Sequence, residues 1–207
     1  MIKKTGNVTW DMLEEELNQA GVPISTAIDN TLLNPTDVLV MHRISAKPYI
    51  DILLKYAPKL ELSNKTWIAR IVSEKGLKQA VPFLISIFED YKGENIDLWA
   101  VGNALYVIDD RASYSAILEL CKNPRYGIAR QMLMGTLAKM KTKEAYEVLI
   151  DCFNDETVRG HAIEAIGKFG DIRAIPLLEK LEVKKGLYEY KARETAIKRL
   201  SRKIPKQ

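Results

Sequence analysis

Residues 158–171 have the sequence VRGHAIEAIGKFGD. Within them, Ala162, Ala165, Ile166 and Phe169 recur at the i, i+3, i+4 and i+7 positions that share one face of an α-helix. Most of the positions between them are polar or glycine, so the apolar stripe is narrow. The stretch therefore predicts an amphipathic helix of about three turns that packs one face against neighbouring helices.

Copies of this pattern occur on both sides of it. Residues 129–140, with the sequence ARQMLMGTLAKM, align directly with residues 158–169. Earlier copies cover residues 98–108 and 65–74, and a looser one covers residues 188–202. We interpret all five segments as equivalent helices of a repeated unit.

A second kind of segment precedes each of these helices and also repeats. Its clearest copies are residues 80–84 (AVPFL) and 174–178 (AIPLL). Successive copies are separated by 34, 33, 32 and 29 residues and begin at Ala46, Ala80, Ser113, Ala145 and Ala174. A period near 30 is what two helices, a turn and a linker require. Because a single helix pair cannot bury both faces of its apolar stripe, the pairs are expected to stack.

The pattern V-R-x-x-A-x-x-A-I-G-x-x-G-D of residues 158–171 resembles the second helix of a HEAT repeat, in the short bacterial form called PBS-lyase HEAT-like. Asp155 and Arg159 fit the Asp/Arg pair of that family. The resemblance is good over residues 75–202 and weaker over residues 46–74. It implies an all-α fold, a right-handed α-α superhelical solenoid of about five HEAT-like helix pairs, and it implies little about activity.

The first 45 residues do not repeat. Thr9 is expected to cap a first helix, and two further short helices are predicted at residues 26–33 and 37–44. We expect residues 1–45 to form an N-terminal helical cap and residues 46–207 to form the repeat solenoid as a single continuous domain.

Positive charge is concentrated at the C-terminal end. The chain has a formal net charge of +4. Residues 183–207 hold nine basic and two acidic residues, a net +7, whereas the remaining 22 basic and 25 acidic residues give −3. A protein that follows nucleic acid along its whole length spreads its positive charge more widely, so this distribution favours other partners for the body of the molecule.

The residues that usually carry catalysis or bind metals lack the necessary spacing. His42 and His161 belong to no metalloprotease or triad signature, and Cys121 and Cys152 are too far apart for a zinc knuckle. The isolated glycines indicate close helix approach and do not form a phosphate-binding loop. We therefore expect no catalytic residue, no metal site and no small-molecule cofactor.

Localisation follows from two further features. The N-terminal residues lead into no apolar signal segment, and no run of 18 apolar residues is present. Two thiols within apolar segments suit a reducing compartment. We expect the protein to be cytoplasmic and to have no contact with a membrane.

Four residues occupy the same column near the start of the second helices: Lys65, Leu98, Arg130 and Arg159. In the structural interpretation, each arginine pairs with an aspartate of its own or the adjacent repeat, as Asp155 could with Arg159. In the functional interpretation, the column faces an acidic partner. Leu98 interrupts any continuous positive surface and favours the structural interpretation.

Trp99 lies one position away from the core stripe and is expected on the concave face, where helical solenoids usually bind. Tyr106, Gln131, Glu164 and Lys168 are expected on or near the same surface. The predicted partner-binding residues are Trp99, Tyr106, Arg130, Gln131, Arg159, Glu164 and Lys168. A second candidate surface combines Tyr188 and Tyr190 with the basic segment, which could equally be a solvated capping helix.

These features favour a non-enzymatic, protein-binding solenoid that acts as an adaptor, scaffold or inhibitor, including an immunity-type protein. The alternative is a nucleic-acid-binding protein related to the HEAT-like DNA alkylpurine glycosylases, which would bind through the basic C-terminal helix. A bilin lyase or chaperone is suggested only by the name of the repeat family.

Overall fold

Twelve α-helices account for most of residues 7–93 and 98–204, which are the residues that the computed structural model describes. No β-strand occurs in these ranges; Thr26 and Leu32 form one isolated bridge. The predicted all-α fold is confirmed. The helices are α1 (Val8–Gln19), α2 (Pro35–Met41), α3 (Ile50–Tyr56), α4 (Leu62–Ile71), α5 (Val81–Asp90), α6 (Leu98–Ile108), α7 (Tyr114–Lys122), α8 (Gln131–Met140), α9 (Lys143–Asp151), α10 (Arg159–Phe169), α11 (Ile175–Lys180) and α12 (Tyr188–Ser201).

The helices divide into the five predicted pairs after α1 and α2. The first helices of the pairs are α3, α5, α7, α9 and α11, and the second helices are α4, α6, α8, α10 and α12. In the unit Met1–Asp109, α2 packs on α4 and α4 packs on α6. In the unit Asp110–Gln207, α8 packs on α10 and α10 packs on α12. Within each unit, second helices thus stack in chain order, as in a helical solenoid.

The repeated alanines and prolines mark the entry into the first helices. Ala80 and Ala174 are fully buried in the short 3₁₀ turns that lead into α5 and α11, and Ala46 is fully buried directly before the turn that leads into α3. Pro82 and Pro176 lie in the first turns of α5 and α11, where a missing N–H costs no intrahelical hydrogen bond. This explains why the motifs AVPFL and AIPLL recur at the period of the repeat.

Two details of the N-terminal prediction are wrong. The side chain of Asn7, instead of Thr9, caps α1 by accepting a hydrogen bond from the N–H of Trp10 at 3.1 Å. Residues 26–33 form a reverse turn instead of a helix, with Asn30 at a φ of 63° and the Asp29 carboxylate accepting from the N–H of Thr31. Short polar side chains that hydrogen-bond the local backbone compete with helix formation. Residues 1–6 of the predicted cap lie outside the described residues. The boundary between the cap and the solenoid at residue 45 stays a prediction.

A buried carboxylate joins α1 to the start of α2. Glu14 has no exposed surface, and its Oε1 and Oε2 accept hydrogen bonds from the hydroxyl and the N–H of Thr36 at 2.5 and 3.0 Å. Burial raises the pKa of Glu14, although the bonds from Thr36 oppose this shift. The folded state therefore holds the Glu14 proton more tightly than the unfolded chain does.

This shift predicts a pH dependence of stability. The contribution of Glu14 is fully present below the unfolded value of 4.5 and is lost as pH rises through the higher folded pKa. Urea unfolding of the wild type and Glu14→Gln, between pH values of about 4 and about 8, measures this contribution. The wild type should lose stability relative to the variant as pH rises. The raised pKa would be refuted if the free energy of unfolding of the wild type, relative to that of Glu14→Gln, stayed constant or increased as pH rises.

Candidate functional site

Trp99, the second residue of α6, lines a groove of about 680 Å³ in the unit Met1–Asp109. The groove extends across α2, α4 and α6 and the segments that follow α2 and α4. We call it the Trp99 groove. It is lined by Leu39, Val40, Arg43, Ile44, Ser45, Arg70, Ile71, Ser73, Glu74, Trp99, Ala100 and Asn103.

The position of Trp99 follows from the helix period. Its neighbours Leu98 and Ala100 are buried on either side of it, whereas 39% of Trp99 is exposed. Leu39 and Ile71, which are buried, line the same groove, and we call this apolar part of its lining the floor. An indole that is partly exposed above an apolar floor offers a large area for burial by a partner.

Charged groups of both signs line the Trp99 groove. Glu74 forms an ion pair with Lys47 at 2.9 Å and accepts hydrogen bonds from Ser45 Oγ and the N–H of Ala46. Although burial opposes it, these contacts hold the pKa of Glu74 below its usual value. Arg43 and Arg70 are exposed at the rim, so the groove combines an apolar floor with a positive edge.

A second groove, of about 720 Å³, lies between α10 and α12 in the unit Asp110–Gln207. We call it the basic groove. Its wall on α10 contains Glu164 and Lys168, and Lys168 Nζ lies 2.6 Å from Glu164 Oε1. Tyr188 Oη donates to Glu164 Oε2 at 2.6 Å. The hydrogen bonds from Lys168 and Tyr188 lower the pKa of Glu164.

Two glycines let α10 and α12 approach closely. A Cβ atom on Gly160 would lie 2.4 Å from Cδ1 of Tyr188, and one on Gly167 would lie 2.9 Å from Cβ of Ala196. Both distances are shorter than van der Waals contact. The prediction that isolated glycines indicate close helix approach is confirmed for these two positions.

Arg130 lies inside the protein and is therefore not available to a partner. Only 3% of it is exposed, and its guanidinium donates to the carbonyl oxygens of Cys121 and Gly127 and forms an ion pair with Asp155. The predicted Asp155–Arg159 side-chain pair is wrong, because Asp155 pairs with the arginine of the preceding repeat. Arg159 Nε instead donates to the carbonyl oxygen of Phe153 at 2.7 Å.

Residues 127–186 match the family model for HEAT repeats. This part of the chain is therefore similar to HEAT repeats. The matched region contains α8 to α11, and a search of curated proteins finds no similar sequence. The match supports the interpretation of the chain as a HEAT-like repeat protein.

The column that contains Arg130 is structural in this HEAT-like array. Lys65 pairs with Asp90 at 3.3 Å, and Leu98 is buried. Arg130 and Arg159 bind backbone carbonyls, as described above. The structure therefore supports the structural interpretation of the column over the one in which it faces an acidic partner.

The other predicted residues separate by unit. Trp99 and Tyr106 belong to the unit Met1–Asp109, and Tyr106 is half-buried outside the lining of the Trp99 groove. In the other unit, Gln131 Nε2 donates to the carbonyl oxygen of Thr157 at 2.8 Å, which connects it to the next helix pair. Glu164 and Lys168 line the basic groove together.

The arginines of the Trp99 groove, Arg43 and Arg70, were not predicted as site residues from the sequence. Arg43 follows α2 with a φ of 52°, and Arg70 lies in the last turn of α4. They occupy unrelated positions in the repeat, and only the packing of α2, α4 and α6 brings them to one groove. The basic residues of the second groove, by contrast, belong mostly to the segment 183–207, whose positive charge is visible in the sequence. Lys206 of this segment lies outside the described residues.

The two cysteines and His161 of the unit Asp110–Gln207 have shifted pKa values because of burial. Burial raises the pKa of Cys121 well above the usual value and that of Cys152 to about 11, so both remain thiols at neutral pH. Burial lowers the pKa of His161, whose ring packs against Tyr188. Over residues 7–93 and 98–204, no group of three or more His, Cys, Asp or Glu side chains is arranged to bind a metal, and no helix is long and apolar enough to cross a membrane.

Proposed function

We propose that this chain is a protein-binding scaffold without catalytic activity of its own and that it binds its partner through the Trp99 groove. The observation that carries the proposal is the partly exposed indole of Trp99 over an apolar floor, beside Arg43 and Arg70. Tryptophan and arginine are the residues most enriched among those that dominate the binding energy of protein interfaces.

The hydrogen bonding in the groove favours a protein over a small polar ligand. A small-molecule site presents a few convergent polar groups to its ligand. Here Ser45 and Glu74 hydrogen-bond each other, and Asn103 Nδ2 donates to Ser73 Oγ at 3.3 Å. The apolar floor and the indole are left to contact a partner, and exposed arginines lie at the rim, which is the composition of an interface centre.

The adaptor, scaffold or inhibitor role, including that of an immunity-type protein, would be set by the identity of this partner. Two free, buried cysteines, Cys121 and Cys152, suit the reducing cytoplasm that we propose as its location.

Site-specific photocrosslinking in the native host tests the proposal. A benzophenone amino acid replaces Trp99 in one variant and Leu177 in the control. Leu177 is an appropriate control because it is 41% exposed, close to the 39% of Trp99, and lies on the first helix α11, outside the groove. We expect one dominant protein adduct from position 99 that is missing from position 177.

Two outcomes would contradict the proposal. One is the same set of weak adducts from both positions, which would indicate random encounters. The other is no adduct at position 99 from a chain that, once purified, turns over a substrate.

A further inference from the structure

The basic groove has cations on both of its sides. Lys191, Lys198, Arg199 and Arg202 lie on α12 or directly after it and line the groove. Their spacing of i, i+7, i+8 and i+11 places them on one face of the helix, along about 16 Å of its length. Lys168 faces them from α10.

Most of this charge is not neutralised within the protein. Among the described residues, the four cations of α12 and its end form no ion pair, and all four are exposed. Lys168 is the exception, through Glu164. Nearby, burial and the charges of Lys203 and Arg199 lower the pKa of Lys141, as expected where cations are crowded.

The floor between the cations is apolar. Gly167 of α10 and Ala192 and Ala196 of α12 form it, and the ring of Tyr188, which is 48% exposed, lies at one end. A groove with a narrow apolar floor and basic edges matches one kind of ligand, an amphipathic segment with apolar side chains on one face and carboxylates beside them.

We propose that the basic groove binds an acidic amphipathic helix of a partner protein. The apolar face of that helix covers Tyr188, Ala192 and Ala196, and its Asp and Glu side chains reach Lys191, Lys198 and Arg202. This surface shares no lining residue with the Trp99 groove, and the proposal would stand if the Trp99 groove bound nothing.

Nucleic acid fits the groove less well. A phosphate backbone would leave the apolar floor uncovered, whereas the apolar face of an amphipathic helix covers it. Glu164 repels carboxylates and phosphates alike, so it does not distinguish the two ligands. Lys203 is partly used within the protein, since it donates to the carbonyl oxygen of Gly170 at 3.2 Å.

Fluorescence anisotropy with the full chain and defined probes tests the proposal. The first probe is a labelled helical peptide of about 15 residues, with leucines at i, i+3, i+4 and i+7, a few glutamates beside them and alanines elsewhere. The second has the same composition in scrambled order, and the third is a single-stranded oligothymidine of about the same length. The proposal predicts that the amphipathic peptide binds at least about tenfold more tightly than the scrambled one.

Charge-reversal variants locate the binding. Lys191→Glu/Lys198→Glu/Arg202→Glu should weaken binding of the amphipathic peptide at least about tenfold. The control Lys180→Glu/Lys184→Glu/Lys185→Glu changes the net charge equally outside the groove lining and should have an effect below about threefold. Circular dichroism checks that both variants stay folded.

Several results would overturn the proposal. Equal binding of the scrambled peptide would mean that charge alone is responsible. Tighter binding of oligothymidine, with a steep salt dependence, would assign the groove to nucleic acid. An equal loss of peptide affinity in both triple variants would show that the groove is not the binding site. No binding of any probe would show that the groove does not bind acidic helices. None of these results involves Trp99, so the scaffold proposal is tested independently.

Discussion

Replacing Arg130 by alanine is expected to lower the free energy of unfolding by about 3 kcal/mol, because removing one partner of a buried ion pair leaves the other uncompensated. The Arg130 guanidinium joins Asp155 to the carbonyl oxygens of Cys121 and Gly127. Alanine would leave these acceptors, of which the Cys121 carbonyl is buried and the other two are partly buried, without this donor. The loss falls at the lower end of the usual range, since 26% of the Asp155 side chain is exposed and Thr157 also donates to it.

Urea unfolding followed by circular dichroism measures this effect. Arg173→Ala is the matched control, because Arg173 also forms an ion pair with an aspartate, Asp171, but its side chain is mostly exposed. An exposed pair contributes little, so the control should lose much less stability. Equal losses in the two variants would show that Arg130 has no special internal role.

Replacing Gly167 by leucine is expected to cost about 3 kcal/mol, at the upper end for overpacking a core. A Cβ atom at this position would lie 2.9 Å from Cβ and 3.0 Å from Cα of Ala196. The Cα atom belongs to the backbone of α12 and cannot rotate away. The α10 and α12 helices would have to separate, which would also open the floor of the basic groove.

Gly160→Leu is the control for this substitution. Its new side chain would meet the ring of Tyr188 and the side chain of Glu189, both of which can rotate toward solvent. Thermal and urea unfolding should therefore show a clearly smaller loss for Gly160→Leu than for Gly167→Leu. If the order were reversed, the close contact at Ala196 would not be limiting.

The repeat units were predictable because their signals are local. The buried alanines Ala46, Ala80 and Ala174 and the prolines of the first turns recur at the period of the helix pair. Residues 26–33 were predicted as a helix because the hydrogen bond from Thr31 to Asp29, which stabilises the turn, was not recognised.

Contacts between repeats were harder to predict. Asp155 is four residues from Arg159 in sequence, yet it pairs with Arg130, because α8 packs on α10 and brings consecutive repeats together. The same reason applies to the candidate site. The exposure of Trp99 follows from its own helix, whereas the approach of Arg43 and Arg70 depends on the packing of three helices.

The central claim is that Trp99 anchors a protein partner, and calorimetric titration of the partner identified by crosslinking tests it most directly. The titration compares the wild type, Trp99→Ala and Leu177→Ala. We predict that Trp99→Ala weakens binding about 30-fold, equivalent to about 2 kcal/mol, as expected for an aromatic anchor. Leu177→Ala, which removes a similarly exposed side chain elsewhere, should change the affinity by less than about threefold. Wild-type affinity in the folded Trp99→Ala variant would contradict the account.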